Sequence, residues 1–222
     1  MIMKLKLDYK DYIDEIKRRR IEYLIHFTPT RNLYGIYDHK KILSRAILEK
    51  LDIEQFDILD YIQFTDNIRY DDKTFINLSI SAPNTFLFSK FRKITKDDCT
   101  ISWSVLKIKP KHIYEIDTLF SVTNAGSNDA KRIGITGDYD KFKMLFADYI
   151  DIRHGRRGRL KACYTTNVQA EVLVKDCIPI ESIVAVCFES QSKLAETKAA
   201  LSRFDTSKFI VDSEIFSPNR EL

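Results

Sequence analysis

Five short segments of this chain carry apolar residues at strand spacing: EYLIHFT (22–28), FINLSIS (75–81), TISWSVLKI (100–108), NVQAEVLV (167–174) and SIVAVCF (182–188). A last short strand is expected at KFIVD (208–212). Helical patterns fall between them irregularly: residues 9–20 ending in KRRR, a segment from Pro29 with Leu33, Ile36 and Tyr37 at helical spacing and Thr30 as its cap, NTFLFSKFRK (84–93), and 189–203. No regular βαβ alternation results, so α+β is the better fold class. TDNIRYDDK (65–73) reads as a loop, and 111–167 as an irregular stretch punctuated by TNAGSND and GITGDYD.

The late strand NVQAEVLV poses a chemical question. If Val168, Ala170, Val172 and Val174 pack into a core, Gln169 and Glu171 share the opposite face. Immediately upstream, residues 148–168 hold five cations (Arg153, Arg156, Arg157, Arg159 and Lys161) against two acids, Asp148 and Asp151. Such a run is commonly a solvated loop. Here it leads straight into a strand face bearing a carboxylate.

Composition removes several function classes. The chain has no 18-residue apolar run, so no membrane span is expected, and its first residues lack a secretory apolar stretch. Cys99, Cys163, Cys177 and Cys187 show no CxxC spacing and no pairing with the four histidines, so reduced thiols are expected and no metal site. Six glycines in 222 residues include no Walker or Rossmann fingerprint. A net charge of +4 is by itself too small to indicate a nucleic-acid binder. Residues 1–222 suit one domain with a sizeable core.

Other polar residues recur on strand faces. His26 and Thr28 alternate with Ile25 and Phe27 in the first strand, and Ser79 and Ser81 repeat the pattern in FINLSIS. Each has an ordinary reading: a structural histidine, turn-forming hydroxyls, and for Arg69 among acids a surface ion pair. Their combination is more specific. RRRIEYLIHFTPTRNLYGI (18–36), RYDDKTFINLSISAPNTFLFSKFR (69–92), LFSVTNAGSN (119–128) and QAEVLVKDCIP (169–179) together resemble the DarT family, toxins that ADP-ribosylate DNA bases using NAD. The LSISAPN and TNAGSN blocks look more like the guanine-modifying branch. The YVPFYF-like segment of the thymine-modifying branch is not reproduced in DYIQFTDNIRYDD.

The resemblance implies an ADP-ribosyltransferase-like fold, with central mixed or antiparallel sheets flanked by helices, a helix at about 9–20 and a target-recognition loop at about 148–168. It implies Glu171 as the carboxylate beside the transferring ribose and Arg69 as a second catalytic residue, Arg45 being the alternative. His26, Thr28, Asn32 and Ser79 would meet NAD. Gln169, Arg153, Arg156, Arg157, Arg159 and Tyr164 would meet the acceptor, single-stranded DNA. NAD would be the co-substrate, without a metal. It also implies a cytoplasmic toxin with a cognate antitoxin of ADP-ribosyl glycohydrolase activity, macrodomain-like or similar. A transferase acting on protein, RNA or a small molecule, and an inactive nucleic-acid-binding domain of the same fold, are the competing readings.

Overall fold

A computed structural model describes residues 4–53, 72–151 and 157–220. The chain begins with α1 (Tyr9–Arg19), whose buried Tyr12 and Ile16 lie one turn apart on one face. The helix stops where Arg20 turns left-handed (φ 57°), with Lys17, Arg18 and Arg19 in its last turn opposing the helix dipole. Then come β1 (Leu24–Pro29), a 3-10 turn over Thr30–Asn32, α2 (Leu33–Asp38), β2 (Lys41–Leu43), α3 (Arg45–Lys50) and β3 (Phe75–Ile80). The sequence continues with α4 (Thr85–Ile94), β4 (Trp103–Ile108), β5 (Leu119–Ser121), α5 (Asn128–Ile133) and α6 (Tyr139–Met144). It closes with β6 (Glu171–Lys175), β7 (Cys177–Pro179), β8 (Ile183–Phe188), α7 (Gln191–Ala200) and β9 (Phe209–Val211).

Among the described residues the main sheet has seven strands in the order β5-β6-β3-β1-β4-β8-β9, and β2 pairs with β7 in a small second sheet. Every pairing is antiparallel except β8 with β9. This is the expected α+β class with a mixed sheet. The pleat sends Leu24, Leu78, Ile80, Leu106, Val172 and Val174 into one core with Tyr12, Ile16 and Phe142. Each fully buried valine or leucine there contributes about 1.5–3 kcal/mol relative to exposure. A second, aromatic core lies under α4, where Phe88 and Phe91 meet Trp103, Ile25 and Val105, with Phe27 packed against them.

Several expectations need correction. The strand read over 167–174 begins only at Glu171. Asn167 instead closes a turn, its side-chain oxygen accepting the Gln169 N–H (2.8 Å) and its carbonyl accepting that of Ala170 (3.2 Å). An asparagine offering its own backbone this alternative ends strand pairing locally. Val168 is accordingly half-buried, outside the core. Thr30 does not cap its helix but exchanges a hydrogen bond with the Ser104 hydroxyl at 2.9 Å. Residues 111–167 hold β5, α5 and α6, each too short to leave a periodic trace.

Candidate active site

The cleft originates in an interrupted ladder. β1 pairs with β4 along its whole length, from Leu24↔Ile108 to Pro29↔Trp103. On its other edge it meets β3 only at Leu24↔Ile80 and Ile25↔Ser79. Beyond Ile25 the strands part, and a cleft of about 690 Å³ opens between them. His26, Thr28, Asn32, Ser79, Glu171 and Arg45 all line it.

Glu171 is the first residue of β6, paired with Ser121 on β5. It is 7% exposed, and its Oε2 accepts the Ala125 N–H at 2.7 Å. Ala125 is held by a tight loop in which the Asn124 side chain accepts the Gly126 N–H (2.9 Å) and the Ser121 hydroxyl donates to the Thr123 carbonyl (2.7 Å). A buried carboxylate needs such compensation, since desolvating it unpaired is costly. Asn124 and Gly126 line the cleft with it. In the sequence TNAGSN reads as turn-rich punctuation and as one of the blocks that carry the resemblance, with no link to Glu171; the contact spans 46 positions.

His26 is half-buried where the strands separate, its Nδ1 lying 3.2 Å from the Asn77 carbonyl. A carbonyl can only accept, so Nδ1 carries the proton and the neutral ring has Nε2 as an acceptor. Burial lowers the His26 pKa, partly opposed by the Asn77 carbonyl, and keeps that neutral form. Thr28 and Asn32 act together, the Asn32 amide donating to Thr28 Oγ1 at 3.1 Å.

The acceptor-side residues are placed differently. Gln169 sits in the turn before β6, half-buried, and does not line the cleft. Arg157 donates to the carbonyls of Lys161 (2.6 Å), Ala162 (3.1 Å) and Tyr164 (2.7 Å), so its guanidinium closes the loop on itself. Tyr164 is half-buried, with the Arg220 guanidinium 5.9 Å from its ring centre. Arg159 is exposed. Arg69, Arg153 and Arg156 lie outside the described residues. Among the described residues no cluster of histidine, cysteine, aspartate and glutamate could hold a metal, and no helix is long and apolar enough to cross a membrane.

A split sheet with a buried glutamate on one half and a strand-borne histidine on the other is a nucleotide-sized cleft with a preorganised carboxylate on its wall. A family model described as DarT, ssDNA thymidine ADP-ribosyltransferase, matches residues 25–217. The chain belongs to this family. Among solved structures it is similar to Thermus sp. 2.9 DarT in complex with carba-NAD+, at 13% identity and a TM-score of 0.60 over 87% of this chain and 97% of that one. The same Thermus protein in complex with ADP-ribosylated ssDNA matches at 11% identity and a TM-score of 0.59, over 89% and 97%. Thermosipho africanus DarTG in complex with ADP-ribose matches at 18% and 0.57, over 88% of this chain and 51% of that one. At such identities the likeness shows the DarT fold. No curated protein sequence matches the chain.

Proposed function

We propose that this DarT-family protein transfers ADP-ribose from NAD to a guanine base of single-stranded DNA. The observation that carries the reading is the Glu171 carboxylate, buried and fixed by the Ala125 N–H on the wall of a nucleotide-sized cleft. The bond between nicotinamide and ribose C1′ breaks with its electron pair going to the nicotinamide ring, which leaves neutral. The ribose is left with oxocarbenium character. A fixed carboxylate stabilises that charge most where water is excluded. The acceptor nitrogen then bonds to C1′ and loses a proton, which Glu171 can accept.

His26 meets a ribose hydroxyl through Nε2, and Thr28, Asn32 and Ser79 meet the rest of NAD. Arg69, or Arg45 on the cleft wall, supplies the second catalytic charge. Gln169 and Tyr164 serve the acceptor, and Arg153, Arg156 and Arg159 serve DNA phosphates. Arg157 acts on that loop from inside. Residues 1–222 form one transferase domain on this reading. On the same reading, and from the family resemblance, the protein is a cytoplasmic toxin with a cognate glycohydrolase antitoxin.

Guanine rests on the LSISAPN and TNAGSN blocks. The thymidine in the matched family's description favours thymine as a second reading. Short single-stranded oligonucleotides, each lacking one base, incubated with protein and NAD and weighed by mass spectrometry, separate them. An ADP-ribose mass gain only where guanine is present supports the proposal, and gain tracking thymine transfers it to the other branch. NAD loss without DNA gain redirects the search to RNA and protein acceptors. No NAD loss at all leaves the inactive binding domain.

A further inference from the structure

Residues 214–220 cross from the aromatic core to the loop that precedes Glu171. They begin as a 3-10 turn over Glu214–Phe216. Phe216 is buried against Phe88, ring centres 5.7 Å apart, and Arg92 of α4 donates to its carbonyl at 2.8 Å. From this anchor the chain runs to Arg220, which is half-buried against the basic segment. Arg220 Nη1 donates to the Thr165 carbonyl at 3.0 Å and to the Thr165 hydroxyl oxygen at 3.3 Å, with the guanidinium 5.9 Å from the Tyr164 ring centre.

Thr165 passes that contact on. A guanidinium can only donate, so the buried Thr165 hydroxyl accepts from Arg220 and gives its own proton to the Asn167 carbonyl at 2.8 Å. Asn167 closes the turn that carries Gln169 and delivers the chain to Glu171. The charge at the head of this chain of hydrogen bonds strengthens each link after it. Thr166 ties the same turn to the end of α6, through its N–H to the Leu145 carbonyl (2.8 Å) and its hydroxyl to the Ala147 carbonyl (2.6 Å). On the Arg220 side no such packing helps. There a hollow of about 220 Å³ lies between Leu160 and Val168 of the loop, Thr85 of α4 and Arg220 itself. A close-packed layer would hold the loop without a guanidinium; across a hollow the polar contact has to do it. Arg220 does not line the large cleft.

We propose that Arg220 is a positioning residue for the acceptor: acting through Thr165, it holds the turn at Gln169 where single-stranded DNA meets Glu171, and it touches neither NAD nor DNA itself. The inference rests on the transferase reading above and deepens it. A turn that is already ordered spares the acceptor the entropy of ordering it, so losing the contact weakens acceptor binding. NAD, bound in a cleft that Arg220 does not line, is left as it was.

The test compares the full chain with Arg220→Ala, Thr165→Val and Thr165→Ser. Oligonucleotide labelling at saturating NAD gives KM and kcat for the acceptor, and carba-NAD+ titration gives the cofactor affinity. The oligonucleotide KM is expected to rise about tenfold in Arg220→Ala and about three- to tenfold in Thr165→Val, which keeps the carbonyl contact and loses only the hydroxyl. Thr165→Ser restores the hydroxyl and the parent KM. Carba-NAD+ affinity stays at the parent value in all three. Trypsin cleavage after Arg159 and Lys161 becomes faster in Arg220→Ala and Thr165→Val, which reports the loop without any DNA. A KM rise in Arg220→Ala with Thr165→Val at the parent value would make Arg220 a direct DNA contact and overturn the inference. Unchanged KM in both variants, or an equal loss of carba-NAD+ affinity, would also overturn it. A parent protein that labels no oligonucleotide would instead remove the transferase reading, while the trypsin rates would still show whether Arg220 holds the loop.

Discussion

Replacing Glu171 by glutamine separates chemistry from architecture at the centre of the site. The amide matches the carboxylate in volume, and its carbonyl oxygen can still accept the Ala125 N–H that Oε2 accepts at 2.7 Å. Exchanging a charge-assisted hydrogen bond for a neutral one costs about 1 kcal/mol. Burying a neutral amide in place of a carboxylate that is 7% exposed offsets part of this. At this chain length about 1 kcal/mol moves the Tm by about 2–4 °C. The transition state loses far more. Removing one preorganised electrostatic group from a water-poor site lowers kcat by about 10²–10³, or about 2.7–4 kcal/mol. Initial rates of oligonucleotide labelling at saturating NAD, beside thermal unfolding of the same preparations, measure both quantities. Labelling within about threefold of the parent rate would refute the role of the charge. A Tm fall of more than about 10 °C would make Glu171 a strut of the β5–β6 edge instead.

Arg157 and Arg159 should part company. Arg157→Ala removes the donor of three loop carbonyls and is expected to cost about 1–3 kcal/mol of stability, read as a lower Tm. Arg159→Ala should leave the Tm unchanged and reduce the salt slope of single-strand binding by about 0.7, one phosphate contact; the reverse pattern would exchange their roles. His26 gives a pH prediction. Its pKa lies below the ordinary histidine value because the ring is buried, so the Nε2 acceptor persists through neutral pH. Carba-NAD+ affinity should be flat from about pH 8 to about 6.5 and weaken only in more acid solution, where Nε2 gains a proton. Titrations that already weaken above about pH 7 would contradict this.

The strands are legible in the sequence as short apolar, β-branched runs. In β3 the period of two is plain, with Ile76, Leu78 and Ile80 in one core, whereas β1 and β4 are covered on both faces: Leu24, Leu106 and Ile108 enter that core, and Ile25, Trp103 and Val105 enter the aromatic one. Residues 111–167 carry no such signal. β5 is only Leu119–Ser121, and α5 and α6 are six residues each, shorter than the window in which a period can be recognised. Yet this stretch holds Ala125, the partner that fixes Glu171. Charge is equally ambiguous: a basic run shows how many arginines a loop has but not which of them its own carbonyls consume. Arg157 is folded inward while Arg159 stays exposed, two residues away.

The period-two argument also has a limit that β1 exposes. Alternation puts His26 and Thr28 on one face of the strand and Ile25 and Phe27 on the other, and from sequence only the first pair reads as facing a site. All four line the cleft. The pleat decides the face of a side chain, but whether a neighbouring strand covers the edge is a separate matter. Where β3 departs after Ile25↔Ser79, the edge of β1 is uncovered and residues of both faces reach the opening. A polar pair and an aromatic ring thereby come to one cavity, hydrogen bonding from one side and stacking from the other. That convergence turns on the length of the β1–β3 ladder, which no local pattern in either strand encodes.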